Sequence, residues 1–538
     1  MRFVYFLIIG FTCILCPIAN AMDISSAPVL LADASDLQTG SDKLSTKSRI
    51  YVKKIRIAGS TRFSEEELAS VTAPYENREI TFEELQSLRQ GLTQYYIDRG
   101  YINSGVIIPD QQVVDGTVTL NVIEGSVTKI DVEGNKHFRS FYIKDRLNLA
   151  LGIPVNINNI QRALQLLQQD PRIRRINAEM SPGVMPGEAA LKVKIDEERP
   201  YRIALTVGNN QSPSVGSYRG EILLAHQNLF GLGDILEGRF GITEGTDDIF
   251  LSYLIPVTSR DTTVKIYYRK SESTVVEETF KRLDIESISK TFGLTISHPF
   301  YKKPGREFTL SLSGEIRRNA TYLLGRPFSF SDINDSVTHV TALRFSQEWI
   351  SRSQTEVIAL RSNFSLGINA FGATIDERGS DGRFLSWTGQ ALWIRQLSEA
   401  GIQMVFRTDI QLANDSLLPM EKFSVGGMNS VRGYRENLLV RDNGLASSIE
   451  FRFPVLRNQQ GEPVLQFAPF ADFGWSWNTN RHTPDPRTIS SAGAGLRWAI
   501  KQGVLFQIYA GHHLRKVKNA DYDLQDDGIH FQLSWQIL

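Results

Sequence analysis

The chain has 538 residues, 41% hydrophobic and 22% charged, and its 59 basic side chains balance 59 acidic ones for a formal net charge of zero. Zero charge argues against a nucleic-acid partner, which needs a basic surface. The length admits several ordinary domains, or one large barrel with small appendages.

Residues 1–21 read as a cleaved export signal. Arg2 gives a positive start, Phe3 to Cys16 is almost wholly apolar, and Ala19-Asn20-Ala21 is a small-x-small cleavage site. The apolar run is short for a membrane span of ~20 residues. Both cysteines, Cys13 and Cys16, lie inside it, so the exported chain has no disulfide and no cysteine metal site. No later stretch approaches ~18 consecutive apolar residues. A membrane-embedded form would therefore be a closed barrel, since only helices and closed barrels satisfy every backbone group in lipid.

Residues 22–48 are small and polar and read as a flexible segment. A repeat follows. Ile55-Arg-Ile-Ala-Gly-Ser-Thr-Arg-Phe63 aligns with Ile130-Asp-Val-Glu-Gly-Asn-Lys-His-Phe138, an offset of 75 from residue 55 to residue 130. In each, alternating apolar residues make a strand and a Gly-polar pair makes the turn. In the first unit Ser64 with Glu67 and Thr81 with Glu84 are capping boxes. Phe82, Leu85, Leu88, Leu92 and Tyr96 recur at helical spacing until Gly100 stops the helix. Strands are expected at Tyr101–Ile108 and Thr117–Ile123. In the second unit Asn158 can cap a helix through Gln168, with strands near 172–178 and 190–195. The expectation is two small α+β domains of order β-α-α-β-β, at 49–125 and 126–198.

From Pro200 helical spacing gives way to period-two alternation. Phe308, Leu310, Leu312 and Ile316 alternate with Thr309, Ser311, Ser313 and Glu315, and the chain ends on Ile529, Phe531, Leu533, Trp535 and Ile537. There are about sixteen such segments, the even count of a bacterial barrel. Long connections are expected near 208–217, 270–284, 317–338, 369–383, 413–444, 478–488 and 512–528. Short ones are expected near 227–234, 256–262, 351–354, 397–401, 457–463 and 501–502. Short periplasmic turns and long external loops are the barrel signature, so residues 199–538 read as a 16-stranded outer-membrane β-barrel. The alternative is a soluble all-β protein.

Three patterns carry a family resemblance. The first is Leu92-Thr-Gln-Tyr-Tyr-Ile-Asp-Arg-Gly100-Tyr-Ile-Asn-Ser-Gly-Val-Ile-Ile-Pro109, closed by Gly116-Thr-Val-Thr-Leu-Asn-Val-Ile-Glu-Gly125. It resembles the first periplasmic POTRA domain of two-partner secretion transporters, the TpsB family of haemolysin and adhesin exporters. The second is Val431-Arg432-Gly433-Tyr434 in the long loop 413–444, and the third is Phe470-Ala-Asp472-Phe-Gly474 on a late strand. These are similar to the loop and strand signatures of the wider polypeptide-transporting barrel superfamily.

The resemblance implies that the loop folds into the barrel lumen and that Arg432 pairs with Asp472. Parity along the strands is compatible, placing Asp472 and Glu450 inside. It further implies an outer-membrane translocator that captures an unfolded exoprotein in the periplasm and conducts it to the cell surface, with porin-like conduction. The partner would be an adhesin, a cytolysin or a contact-dependent toxin. Tyr95, Tyr101 and Pro109 lie where partner contact is expected, by β-augmentation. The protein would be a monomer in outer-membrane lipid, without metal, cofactor or nucleic acid. An N-terminal plug helix, frequent in such families, finds little support in 22–48. Asn228-Leu-Phe-Gly231-Leu-Gly233-Asp234 reads as a glycine turn.

The competing readings are a barrel-assembly insertase, a passive porin and a membrane enzyme. The enzyme reading has only His512-His513 to rest on, and adjacent strand residues face opposite sides. No His-Glu-x-x-His or Gly-x-Ser-x-Gly motif is present.

Overall fold

The computed structural model describes Leu44 and residues 48–329, 336–376, 380–519 and 521–537. The expected export signal, and the 22–48 segment apart from Leu44 and Ser48, lie outside the described residues. The described chain falls into two compact units that divide between Glu198 and Arg199.

The N-terminal unit contains both repeats. In the first, Lys54–Ala58 runs parallel to Thr117–Ile123, which pairs antiparallel with Gly105–Ile107. Helices Glu65–Thr72 and Phe82–Asp98 each begin with a complete capping box, at Ser64/Glu67 and Thr81/Glu84. Leu85, Leu88, Leu92 and Tyr96 are fully buried in the core, whereas Phe82 is 43% exposed. The buried stripe thus starts one turn later than its apolar pattern. Two features depart from expectation. Arg49–Val52 pairs with Arg78–Thr81 as an extra antiparallel ribbon. Residues 101–104 form a turn, because the Tyr101 and Ser104 N–H groups bond back to the Tyr96 and Tyr101 carbonyls.

The second repeat has the same plan. Ser126–Glu133 is parallel to Glu188–Glu197, which pairs with Ile173–Pro182, and the helices are Ser140–Asn148 and Ile157–Gln168. The helix cap is Asn156 rather than Asn158: Asn156 has extended backbone and its side chain accepts from the Asn158 N–H at 2.9 Å. The repeat is legible atom by atom. Gly59 and Gly134 both have φ +81°. A Cβ at Gly59 would stand 2.6 Å from the Val122 carbonyl oxygen, and one at Gly134 would meet Ile195 in the same way. After each glycine an acidic side chain collects the turn's N–H groups. Glu124 takes Thr61 and Arg62, and Glu197 takes Lys136, His137 and Phe138.

The C-terminal unit is a closed antiparallel barrel of sixteen strands, in which Ile529–Gln536 returns to pair with Tyr201–Gly208. One end carries tight turns, including 304–305, 353–355 and 502–503, and the other carries the longer connections between Leu323 and Val337, Ile368 and Phe384, Ala413 and Asn443, and His513 and Ile529. Two connections, 243–245 and 304–305, were not among those expected, and one strand runs longer than expected. The turn at 304–305 joins two long strands, Ile285–Lys303 and Arg306–Leu323. The second of these runs to Leu323, beyond the loop start expected near 317. Leu312, Phe473, Trp475 and Trp535 stand exposed on the outside, while Glu315, Glu450, Asp472 and Arg497 are buried inside. An apolar belt around a polar interior is the pattern of a lipid-embedded barrel.

Candidate lumenal site

The loop 414–442 carries a short hairpin, Phe423–Val425 paired with Leu439–Arg441. Its tip turns on Gly426, Gly427 and Gly433, with φ of +115°, +100° and +91°. Phe423, Val425, Val431, Tyr434 and Leu439 are buried and pack with Ala446 and Ile489 of the barrel wall. Gly474 is a close-approach position: a Cβ there would come within 2.9 Å of a Val431 methyl. A Cβ at Gly433 would stand 2.8 Å from the Gly511 carbonyl oxygen.

Arg432 is 5% exposed, Asp472 3% and Glu450 5%. The guanidinium grips Asp472 with two bonds of 2.8 Å, from Nε and Nη2. The Arg432 backbone N–H adds a third at 2.9 Å to the same carboxylate. Nη2 also donates to Ser448 Oγ at 2.9 Å, and Nη1 pairs with Glu450. Phe470 lies under the guanidinium carbon at 3.6 Å. Bidentate charge-assisted bonds of this kind are among the strongest polar contacts in proteins. Arg452 bonds the other oxygen of Glu450 at 2.8 Å. The Tyr434 hydroxyl lies 3.0 Å from the carbonyls of Ser490 and Arg515.

A second anchor was not legible in the sequence. Glu421, at the start of the loop, is buried and accepts from Arg317 and Arg344 at 3.0 Å. These arginines also bond Glu315, at 2.8 and 2.9 Å. They stand on the strands Arg306–Leu323 and Val337–Arg352, whereas the Arg432 partners stand on Asn443–Arg457 and Pro463–Trp477. Alternation placed Glu315 inside, but gave no sign of which loop residue would meet it. Near the loop's tip Arg435 pairs with Asp526 and Glu277, at 2.7 and 2.9 Å.

The residues expected to contact a partner in the first repeat are placed as follows. Tyr101 is buried, and its hydroxyl accepts from Arg62 Nε at 2.7 Å. Its ring packs edge-on against Phe63 and Tyr96. It is a core residue, a correction to the docking expectation, because the 101–104 turn points the ring inward. Tyr95 is half-buried beneath the Arg99 guanidinium, at 3.4 Å, and Pro109 is half-buried. In the barrel, Asp234 is buried and collects the Phe230 and Leu232 N–H groups and the Tyr253 hydroxyl. The glycine turn is thus closed by its own aspartate. His512 and His513 end the strand Val504–His513, yet their rings stack 5.5 Å apart. Side-chain alternation therefore does not separate them at the strand's end. Among the described residues no group of three His, Cys, Asp or Glu could hold a metal ion.

The family model of the haemolysin secretion/activation protein ShlB/FhaC/HecB matches residues 187–498. That of the ShlB-type POTRA domain matches 50–125. The chain is 22% identical over 478 residues to the outer membrane transporter CdiB of Dickeya dadantii, covering 84% of this chain and 81% of that one. It is 21% identical over 496 residues to the heme/hemopexin transporter protein HuxB of Haemophilus influenzae, covering 85% and 82%. Among solved structures it resembles CdiB from Escherichia coli, with a TM-score of 0.68, 20% identity and 95% and 94% coverage. At that identity the likeness shows the fold.

Proposed function

This chain belongs to the haemolysin secretion/activation protein family ShlB/FhaC/HecB, and on that premise we propose that its lumenal loop is the movable occupant of a polypeptide-conducting barrel. The protein is an outer-membrane transporter of the two-partner secretion type, with its POTRA domains in the periplasm. In our reading these domains capture an unfolded exoprotein, Tyr95 and Pro109 lie at the contact, and the chain then passes through the polar lumen as a monomeric conduit. Folding outside makes passage irreversible. The steps are binding and conduction, with no catalytic group, metal or cofactor assigned. The names of two relatives, a heme/hemopexin transporter and a hemolysin transporter, point to heme/hemopexin or a hemolysin as the class of cargo.

The observation that carries the proposal is loop 414–442 seated on the barrel wall by two separate buried ion clusters. Such clusters hold one geometry, and removing one partner leaves an uncompensated buried charge. Cargo could displace the loop as a unit. The test is secretion of the large exported protein encoded beside this one, in cells with and without this chain. Appearance in the medium only with the chain present supports the reading. Indifferent secretion, together with failed assembly of other outer-membrane proteins, would favour an insertase instead. Deleting 49–125 is expected to abolish export.

A further inference from the structure

The strands that close the barrel share a short backbone ladder. Ile529–Gln536 pairs with Tyr201–Gly208 from Gln532↔Gly208 to Gln536↔Ala204, with one further bond from the Ile537 N–H to the Ile203 carbonyl, whereas Ile285–Lys303 and Arg306–Leu323 pair along their whole length. Beyond Gly208 a side chain continues the ladder. Asn209 is fully buried. Its N–H reaches the Phe531 carbonyl at 3.2 Å. Its side-chain oxygen takes the Phe531 N–H at 2.7 Å, and its amide nitrogen donates to the Ile529 carbonyl at 2.8 Å. A strand residue would make such bonds with its backbone. Here the backbone carbonyl of Asn209 is turned away, to Gln525.

Gln525, in the short turn Leu524–Asp527, is also fully buried. Its Nε2 donates to the carbonyls of Asn209 and Gln211, at 2.8 and 2.7 Å. Its Oε1 accepts the backbone N–H of Glu436 at 2.8 Å. Glu436 lies four residues past Arg432 on the lumenal loop. Beside it, Gly433 N–H donates to His530 Nε2 on the last strand at 3.3 Å. One carboxamide therefore ties the continuation of the first strand to the loop.

We propose that Gln525 is a positioning residue that couples the lumenal loop to the barrel seam: the loop-side end of the seam is held closed while the loop is docked and loosens when the loop withdraws. This rests on the reading of the loop as a movable occupant. Withdrawal takes the Glu436 N–H away and leaves a buried carbonyl oxygen unpaired, a state strongly disfavoured. The side chain then turns to water and takes its two donors from the seam with it.

The test uses full-length protein in lipid nanodiscs, with hydrogen exchange read on peptides from 201–208 and 529–536 and a control from 306–323. Conductance is measured in planar bilayers. Gln525→Glu keeps the acceptor for Glu436 and loses both donors to the seam. It is expected to speed seam exchange about tenfold, with control exchange and conductance at wild-type levels. Asn209→Asp, which loses only the bond to Ile529, should speed seam exchange in the same sense. Arg432→Ala should raise conductance and seam exchange together. In the double variant Arg432→Ala/Gln525→Glu, seam exchange should rise no further. Unchanged seam exchange in both Gln525→Glu and Asn209→Asp overturns the coupling. Raised conductance in Arg432→Ala without faster seam exchange also overturns it, leaving the loop reading intact. Unchanged conductance in Arg432→Ala overturns the loop reading and the coupling with it.

Discussion

In the N-terminal repeats the buried side chains include Leu85, Leu88, Ile143 and Leu164, whereas inside the barrel they include Glu315, Arg432, Glu450 and Asp472. Both interiors follow from where the apolar surface can go. A small domain in water must hide its aliphatic groups from the solvent around it. A barrel in lipid turns them outward and keeps its polar groups for the lumen. The first interior is non-directional and tolerates many arrangements of similar volume. The second works through partner geometry, so it holds one loop in one place.

The comparison can be broken most sharply at Arg432. Arg432→Ala leaves Asp472 and Glu450 buried without their shared cation, a loss of about 3–5 kcal/mol. Export should fall, while heat-modifiable migration on gels shows the barrel still inserted; unchanged export would remove the loop from the mechanism. Leu88→Ala empties part of an aliphatic core and should cost about 2–5 kcal/mol. It should speed hydrogen exchange along Phe82–Asp98 and leave the barrel strands untouched. Equal effects on both units would erase the contrast.

Glu421→Gln should loosen the second anchor by a smaller amount, because Arg317 and Arg344 keep Glu315 as a partner. The expected outcome is more frequent channel opening in bilayers with barrel stability unchanged. The smallest effect is expected from acid. Burial alone would raise the Asp526 carboxyl, but hydrogen bonds from Arg435 and from the Asp523 N–H bring it below the ordinary aspartate value. A lowered value in the folded state contributes stability above ~3.9, the ordinary aspartate value, and that contribution is lost as pH falls through the lowered value. Openings attributable to the Arg435–Asp526 contact should therefore grow only below about pH 4. Asp526→Asn should abolish that dependence.

Much of the site was legible because its signals are local. The Val431-Arg432-Gly433-Tyr434 and Phe470–Gly474 patterns are short, and parity alone put Asp472 and Glu450 on one face. Tyr101 was misread for the opposite reason. A tyrosine after a helix-stopping glycine suits a core or a surface equally, and only the turn closed by Tyr96 and Tyr101 carbonyls sends its ring inward. The cap at Asn156 instead of Asn158 has a similar cause: either residue can accept an N–H, and backbone dihedrals select one.

The sequence by itself determined the repeat, the helices with their capping boxes, the change to period-two alternation and the inward face of Glu315, Glu450 and Asp472. These follow from near-neighbour spacing, since side chains recur every 3.6 residues on a helix and every 2 on a strand. Only the tertiary structure decided which charges meet. Glu421 joins Arg344 across 77 residues, and Gln525 reaches Asn209 across 316. Barrel closure brings those residues together, and no local periodicity encodes the circumferential position at which a loop returns to the wall.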